Sequence, residues 1–308
     1  MKKHAPRTIQ MFSPFVLLVI TSLLATSPTL AQTSHLLTPH QSINEANTYY
    51  NKGVDLCASG RYTEAIEAFK QAIRLKPDDA LAYNGIGVAK GSLALYSEAI
   101  EASQQALQLN PQLAEAYRTL GTNYYLQGRY QEAVESFHKA IRLKPDLVTA
   151  YSDLGEVYNK LERYPEAIKS LTEAIRLKPD FAVAFNNLGC VYSSSGQPAK
   201  AVEAYQMAVK LNPAYVEAYS NLGVTYYFQK RFKEAADTLK QTIRLDPDFA
   251  EAHFYLGAVY IARREKSAAL KQYARLQSLN SDIANKLYGE IFKDKILAFT
   301  HSPAAHKN

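Results

Sequence analysis

An all-α solenoid of seven helix pairs, closed by one further helix at its C-terminal end, is the fold class that this sequence predicts, and three observations predict it. Prolines fall at Pro77, Pro111, Pro145, Pro179, Pro213 and Pro247, each 34 residues after the last. Glycines at Gly53, Gly87, Gly121, Gly155, Gly189, Gly223 and Gly257 keep the same step. Around these glycines the bulky residues recur at i, i+3, i+4 and i+7, the spacing of one helix face. A length of 308 residues would also allow two compact domains, but a step of this kind maintained along most of a chain is the signature of a stacked array.

The elements follow in chain order. Residues 1–31 read as a secretory signal: Lys2, Lys3 and Arg7 precede an apolar stretch from Phe15 to Ala25, and Thr29-Leu30-Ala31 places small residues where a signal peptidase reads. Cleavage after Ala31 is expected, leaving a chain that starts at Gln32 and works in the periplasm or outside the cell. The alternative, an uncleaved signal anchoring the protein in an inner membrane, is the weaker reading. The stretch is about half of the ~20 apolar residues a spanning helix needs, and Pro14 and Pro28 bracket it. Residues 32–45 are a polar linker, expected to be poorly ordered.

Seven repeats then occupy residues 46–79, 80–113, 114–147, 148–181, 182–215, 216–249 and 250–283. In the fourth, Tyr151, Leu154, Gly155 and Tyr158 form the buried stripe of a first helix, and Ala167, Ile168, Leu171, Ala174 and Ile175 that of a second. A glycine inside a helix costs about 1 kcal/mol relative to alanine, so its recurrence predicts a facing helix too close to admit a Cβ, met from the other side by Ala167 and Ala174. Asp153, off the stripe, is expected to be exposed. Leu-Lys-Pro-Asp at residues 177–180 stops the second helix, with Asp180 as the expected N-cap of the next. Residues 284–300 form the capping helix, with Ile283, Leu287 and Ile291 on one stripe and Tyr288, Phe292 and Ile296 on the adjoining one. Residues 301–308 have no periodicity and are expected to be a disordered tail.

The pattern of an aromatic, Leu-Gly, Tyr, then Ala, then a bulky residue, then Pro at a 34-residue period resembles the tetratricopeptide-repeat family. The resemblance covers about three quarters of the chain. It implies a right-handed α-solenoid superhelix whose first helices line a concave groove, and a role in binding other proteins. Departures from the pattern are Lys52 for Leu in the first repeat, Lys90 for Tyr in the second, Pro198 where Tyr62, Tyr96, Tyr130 and Tyr164 supply an aromatic, and Ser281 where the seventh repeat would have Pro. Repeats one and seven should be the least regular.

Composition excludes several functions. The formal charge is +6, but Lys2, Lys3 and Arg7 lie in a segment without acids, and no run of five like charges exists elsewhere, so a nucleic-acid partner is not expected. Cys57 and Cys190 are almost four repeats apart, too far for a bridge, and should be two largely buried free thiols. No convergent set of nucleophile, base and orienting group stands out, and no metal-ligand spacing, so the chain is expected to be no enzyme and to need no cofactor or small-molecule substrate. His253 occupies a core aromatic phase and His138 should face solvent. Gly85-Ile86-Gly87-Val88-Ala89-Lys90-Gly91 superficially resembles a nucleotide loop, but it lies inside a helix with no strand before it. Gly85 and Gly91 read instead as room for a partner backbone or as weak points of the helix.

What the repeat does not explain is a second stripe on each first helix, six and three residues before the glycine and one and four after it. It reads Glu115, Arg118, Thr122 and Tyr125 in the third repeat, Val183, Asn186, Cys190 and Ser193 in the fifth, and Glu217, Ser220, Val224 and Tyr227 in the sixth. Core phases repeat and this stripe does not. The expected function is therefore a non-enzymatic scaffold that binds a peptide or protein segment in the groove, contacted by Asn186, Asn187 and Asn221 as amide donors and acceptors and by Tyr125 and Tyr227 as aromatic anchors. Phe228, Phe254 and Tyr255 extend the aromatic set. Family members that clamp a terminal carboxylate use clustered Lys or Arg, and Arg118 stands nearly alone on the stripe, so that ligand class is not expected. The alternatives are a structural, self-associating solenoid and an accessory targeting subunit of a separate enzyme. Membrane contact is expected only if the signal is retained.

Overall fold

The computed structural model describes residues 39–300, with side chains over residues 41–292. The expected signal, the first part of the linker and the tail at 301–308 lie outside the described residues. Fifteen helices follow one another among the described residues: α1 (Pro39–Ala58), α2 (Tyr62–Leu75), α3 (Ala80–Ser92), α4 (Tyr96–Leu109), α5 (Ala114–Leu126), α6 (Tyr130–Leu143), α7 (Val148–Lys160), α8 (Tyr164–Leu177), α9 (Ala182–Ser194), α10 (Pro198–Leu211), α11 (Val216–Phe228), α12 (Phe232–Leu245), α13 (Ala250–Ala262), α14 (Lys266–Leu279) and α15 (Ser281–Thr300). The odd-numbered helices up to α13 are the first helices of the seven repeats. Two boundaries differ from expectation. Residues 39–45, read as linker, are the first turns of α1, and the capping helix starts at Ser281 rather than 284 because no proline interrupts the chain there.

Two turn chemistries repeat. Between the helices of one repeat the chain passes through a left-handed residue at Gly60, Ala94, Gly128, Glu162, Gly196, Lys230 and Arg264. The next residue's N–H reaches back to the last helical turn, as from Arg163 to the Tyr158 carbonyl at 2.8 Å. This is a Schellman C-cap, and it satisfies carbonyls that the helix end would orphan. A Cβ in this conformation costs about 1 kcal/mol, which glycine avoids. Glu162→Gly is therefore expected to raise stability by about 0.5–1 kcal/mol, less what the glycine gains in unfolded-chain entropy; a thermal midpoint below wild type would contradict this assignment.

Between repeats, proline sits second in a turn closed from Lys178 O to Phe181 N at 3.1 Å, and the same closure recurs in each of the six Pro turns. Asp180 does not cap α9. It is exposed, and Phe181 stands immediately before the helix with no side-chain cap bond. The cap position lies one residue later than expected, at Asp79, Leu113, Leu147, Phe181, Tyr215 and Phe249. Only Asp79 caps there, accepting from Leu81 N at 3.1 Å and Ala82 N at 3.3 Å. At Leu113, Phe181 and Phe249 an apolar side chain packs onto the core instead.

The recurring glycine answers to a side chain rather than to a backbone. A Cβ on Gly155 would lie 2.5 Å from Leu171 Cγ, one on Gly53 2.6 Å from the Phe69 ring, one on Gly121 2.9 Å from Phe137, and one on Gly189 2.5 Å from Tyr205. The bulky residue of the second helix is thus seated where the glycine of the first has no side chain, except in the second repeat, where a Cβ on Gly87 would lie 2.6 Å from Ser103 Oγ and 3.2 Å from the Ala99 carbonyl. Gly85 serves the same purpose for the other edge of Phe69, and Gly91 for the amide of Asn123, so neither leaves room for a partner backbone. In the seventh repeat the pattern changes: Leu287 of α15 fills the space at Gly257. Ala167 and Ala174 are solvent-free, as are Leu171 and Leu239. In the first repeat Lys52 takes the Leu position and is exposed.

Candidate functional site

Contacts between helices decide which face is inner. Every odd helix from α1 to α13 touches the next odd helix, whereas among the described residues no even helix touches another even helix. The stack therefore curves with its odd helices inside, and these line the groove.

The inner face is organised by a ladder with a 35-residue step. The residue three before the glycine in one repeat meets the residue two before the glycine in the next. Arg118 Nε pairs with Asp153 Oδ2 at 2.9 Å, Asn187 Nδ2 donates to Ser152 Oγ at 3.3 Å, and Asn221 Nδ2 donates to Asn186 Oδ1 at 3.0 Å. Asn186 also donates to Asn187 Oδ1 at 3.4 Å. The ladder stops where its partner residue changes. Thr119, facing Asn84, turns its hydroxyl back to the Glu115 carbonyl at 3.0 Å, and Tyr255, facing Ser220, carries an aromatic ring; Asn84 Oδ1 and Ser220 Oγ find no hydrogen-bond partner in the protein. One turn further along, Tyr125 donates to Glu156 Oε1 at 2.7 Å.

Beyond the ladder, α11 and α13 gather rings. Tyr227 lies 5.3 Å from Phe228, 5.6 Å from Tyr255 and 6.1 Å from Phe232, and Phe254 lies 5.3 Å from Tyr255. Phe228 is 69% exposed, more than any other large hydrophobic described.

The family model described as the cilia and flagella-associated protein 70 C-terminal domain, a tetratricopeptide-repeat region, matches residues 82–286, and the model described as TPR repeat matches residues 53–93. The chain belongs to this tetratricopeptide-repeat family. Solved structures agree with the fold. The APC/C hetero-tetramer Cut9-Hcn1 is similar at TM-score 0.65 and 20% identity over 81% of this chain, and this chain spans 47% of the length of that one. A tetratricopeptide repeat protein from Parabacteroides merdae matches at 0.61 and 15% identity over 81% of this chain and 99% of its own. Pseudomonas aeruginosa pilF matches at 0.60 and 20%, over 70% and 100%. At these identities the likeness is one of fold. A comparison of the sequence with curated proteins finds no match.

Within this tetratricopeptide-repeat chain the residues singled out from the sequence fall into two groups. Arg118, Asn186, Asn187 and Asn221 belong to the ladder, and Asn186 is buried, so these side chains first hold successive odd helices together. Tyr125 and Tyr227 are half-buried on the inner face. Asp153, expected to be exposed, instead turns its carboxylate into the ladder, with Oδ2 shut off from solvent. The 35-residue step is legible in the sequence once known, but single-residue phases do not reveal it. Cys57 and Cys190 are free and half-buried, and burial raises both thiol pKa values; Tyr205 donates to Cys190 Sγ at 3.4 Å. His138 is exposed, and its Nε2 meets Tyr158 Oη at 2.9 Å.

Burial pushes the Asp153 carboxyl up to about 6; Arg118 opposes the shift and Glu156 adds to it. Tyr125 is raised by burial and then by Glu156. A carboxyl whose folded pKa exceeds its unfolded value near 3.9 destabilises the native state when ionised. Its contribution is fully favourable below pH ~4 and is lost as pH rises through about 6, by at most about 3 kcal/mol. The other shifted carboxylates act in the opposite sense, so the informative quantity is a difference. Asp153→Asn is expected to gain stability relative to wild type between pH 4 and pH 7. A constant difference across paired thermal melts would show that the carboxylate is not so perturbed.

Proposed function

We propose that this chain is a non-enzymatic scaffold that holds an extended segment of a partner protein in the groove lined by its odd helices, outside the cytoplasm. Proteins of this fold typically mediate protein–protein interactions. The observation that carries the groove reading is the contrast between faces. The core phases repeat from α1 to α13, while the inner stripe changes from Glu115 and Arg118 to Asn186 and Cys190 to Glu217 and Tyr227. It ends in an aromatic cluster from which Phe228 stands exposed, an energetic cost in water that a bound partner would relieve. The asparagines act in this reading through their remaining lone pairs and by fixing helix spacing, and the rings supply the anchor. The location rests on the composition of residues 1–31, and intact mass of the exported protein tests it, with a chain starting at Gln32 expected.

The groove is tested by photo-crosslinking from the inner face in an envelope fraction, followed by calorimetry with the captured partner. Phe228→Ala is expected to weaken binding by about 2 kcal/mol with thermal stability within about 0.5 kcal/mol of wild type. Partner affinity that responds only to substitutions on α4, α6 and α8 would move the interface to the outer face.

A further inference from the structure

We propose that the inner face between α11 and α13 is a subsite for an arginine-bearing segment of the partner, with the Phe228 ring receiving the guanidinium and Glu251 meeting its charge. The inference rests on the groove reading and narrows its ligand.

Charge gives the first argument. The inner stripe carries Glu115, Arg118, Glu156, Glu217 and Glu251. Glu115 is engaged by Lys144 Nζ at 2.8 Å, Arg118 by Asp153 at 2.9 Å, and Glu156 takes the hydrogen bond of Tyr125. Glu217 and Glu251 are exposed and make no ion pair among the described residues. Glu251 precedes Phe254 and Tyr255 by three and four residues, so it shares their face of α13. Its charge, after burial, raises the Tyr255 hydroxyl pKa, which places it within electrostatic reach of that ring. On α13 the bases Arg263 and Arg264 lie past the far end of the helix, Arg263 about 18 Å from Glu251 along the axis and paired with Glu265 at 2.8 Å, while Lys230 follows Phe228 by two residues and makes no ion pair among the described residues.

Ring geometry gives the second. Phe228 stands at 69° to Tyr227 and 68° to Tyr255, so neither ring is stacked parallel on it, and it is 69% exposed. A guanidinium on an open ring face with a carboxylate in reach is well held, because it is planar and weakly hydrated. An apolar side chain would cover Phe228 but leave Glu251 desolvated, and an acidic one would be repelled.

The third argument is that the protein already uses this arrangement in its own turns. Arg129 lies 4.4 Å over the Tyr124 ring and pairs with Glu132 at 2.8 Å; Arg163 lies 4.6 Å over Tyr158 and pairs with Glu166 at 2.8 Å; Arg231 lies 4.4 Å over Tyr226 and pairs with Glu234 at 3.0 Å. Ring and carboxylate are satisfied by an internal arginine at those turns, and on the inner face of α11 and α13 the same pair stands without one.

Fluorescence anisotropy on the full chain tests it. The probes are a short fluorescein-labelled alanine peptide carrying two arginines and its twin with neutral citrulline in their place. The arginine peptide is expected to bind at least about fivefold tighter than its twin, to lose that margin on Glu251→Gln, to weaken similarly on Phe228→Ala, and to weaken with added salt. Equal binding of the twins, or no effect of Glu251→Gln, overturns the arginine subsite. If both peptides still depend on Phe228, the groove reading survives that result. Undetectable binding of the arginine peptide to wild type also overturns the subsite, while the crosslinking map above judges the groove by itself. Binding that ignores both Phe228 and Glu251 removes the subsite and counts against the groove.

Discussion

Gly155→Leu is expected to cost about 3 kcal/mol or more, measured as a drop in the thermal or denaturant midpoint. A first side-chain atom at this position lies 2.5 Å from Leu171 Cγ, and Leu171 is completely buried in the largest core cluster, with no open space to move into. Overpacking of a dense core typically costs 1 to 3 kcal/mol, and a leucine adds three more carbons to the clash, hence the upper end. Asp153→Leu, two residues away, is expected to cost less, because it removes a carboxyl that burial already penalises and leaves Arg118 partly solvated. The mechanism predicts coupling as well. Leu171→Ala alone should cost about 2 to 5 kcal/mol by opening a cavity, but Gly155→Ala should be far milder in that background than in wild type. Additive costs in this double-mutant cycle would mean that glycine is required here for some reason other than the seat of Leu171.

Phe137→Ala is expected to cost about 3 to 5 kcal/mol, since Phe137 is 1% exposed and its ring fills the space left by Gly121. Phe69→Ala removes an equally buried ring, but near the array's end, where it lies between Gly53 and Gly85 and joins the first repeat to the second. In a one-dimensional stack stability is passed between neighbours, so the two losses should differ in reach. Phe69→Ala should speed amide hydrogen exchange in α1 to α3 and leave α9 to α13 protected. Phe137→Ala should lower protection on both sides of repeat three. Uniform acceleration in both variants would mean that the array melts as one cooperative block.

The 34-residue step, the helix pairs and the core phases were legible because packing requires the same residue at the same place in every repeat. Tyr151, Leu154 and Gly155 can be read from one repeat and checked in six others. Asp180 was misread as a cap because the Pro turn needs one more residue before the helix begins, and that residue contacts the core of the neighbouring helices. Asp153 was misread as exposed because periodicity in one helix reports only the partner that every repeat shares.

The sequence by itself determined the architecture: a repeated proline, a repeated glycine and, in most repeats, a bulky residue sixteen positions later impose helix, turn and seat whatever the ligand. Tertiary structure alone decided which polar residues are spent on the protein and which remain for a partner. Arg118, Asn186, Asn187 and Asn221 share the inner face with Tyr227 and Phe228, yet the curvature that brings odd helices together pairs the first four across a 35-residue step and leaves the Phe228 ring exposed. The physical reason is that this pairing depends on the offset between adjacent repeats, and no residue inside a single repeat encodes that distance.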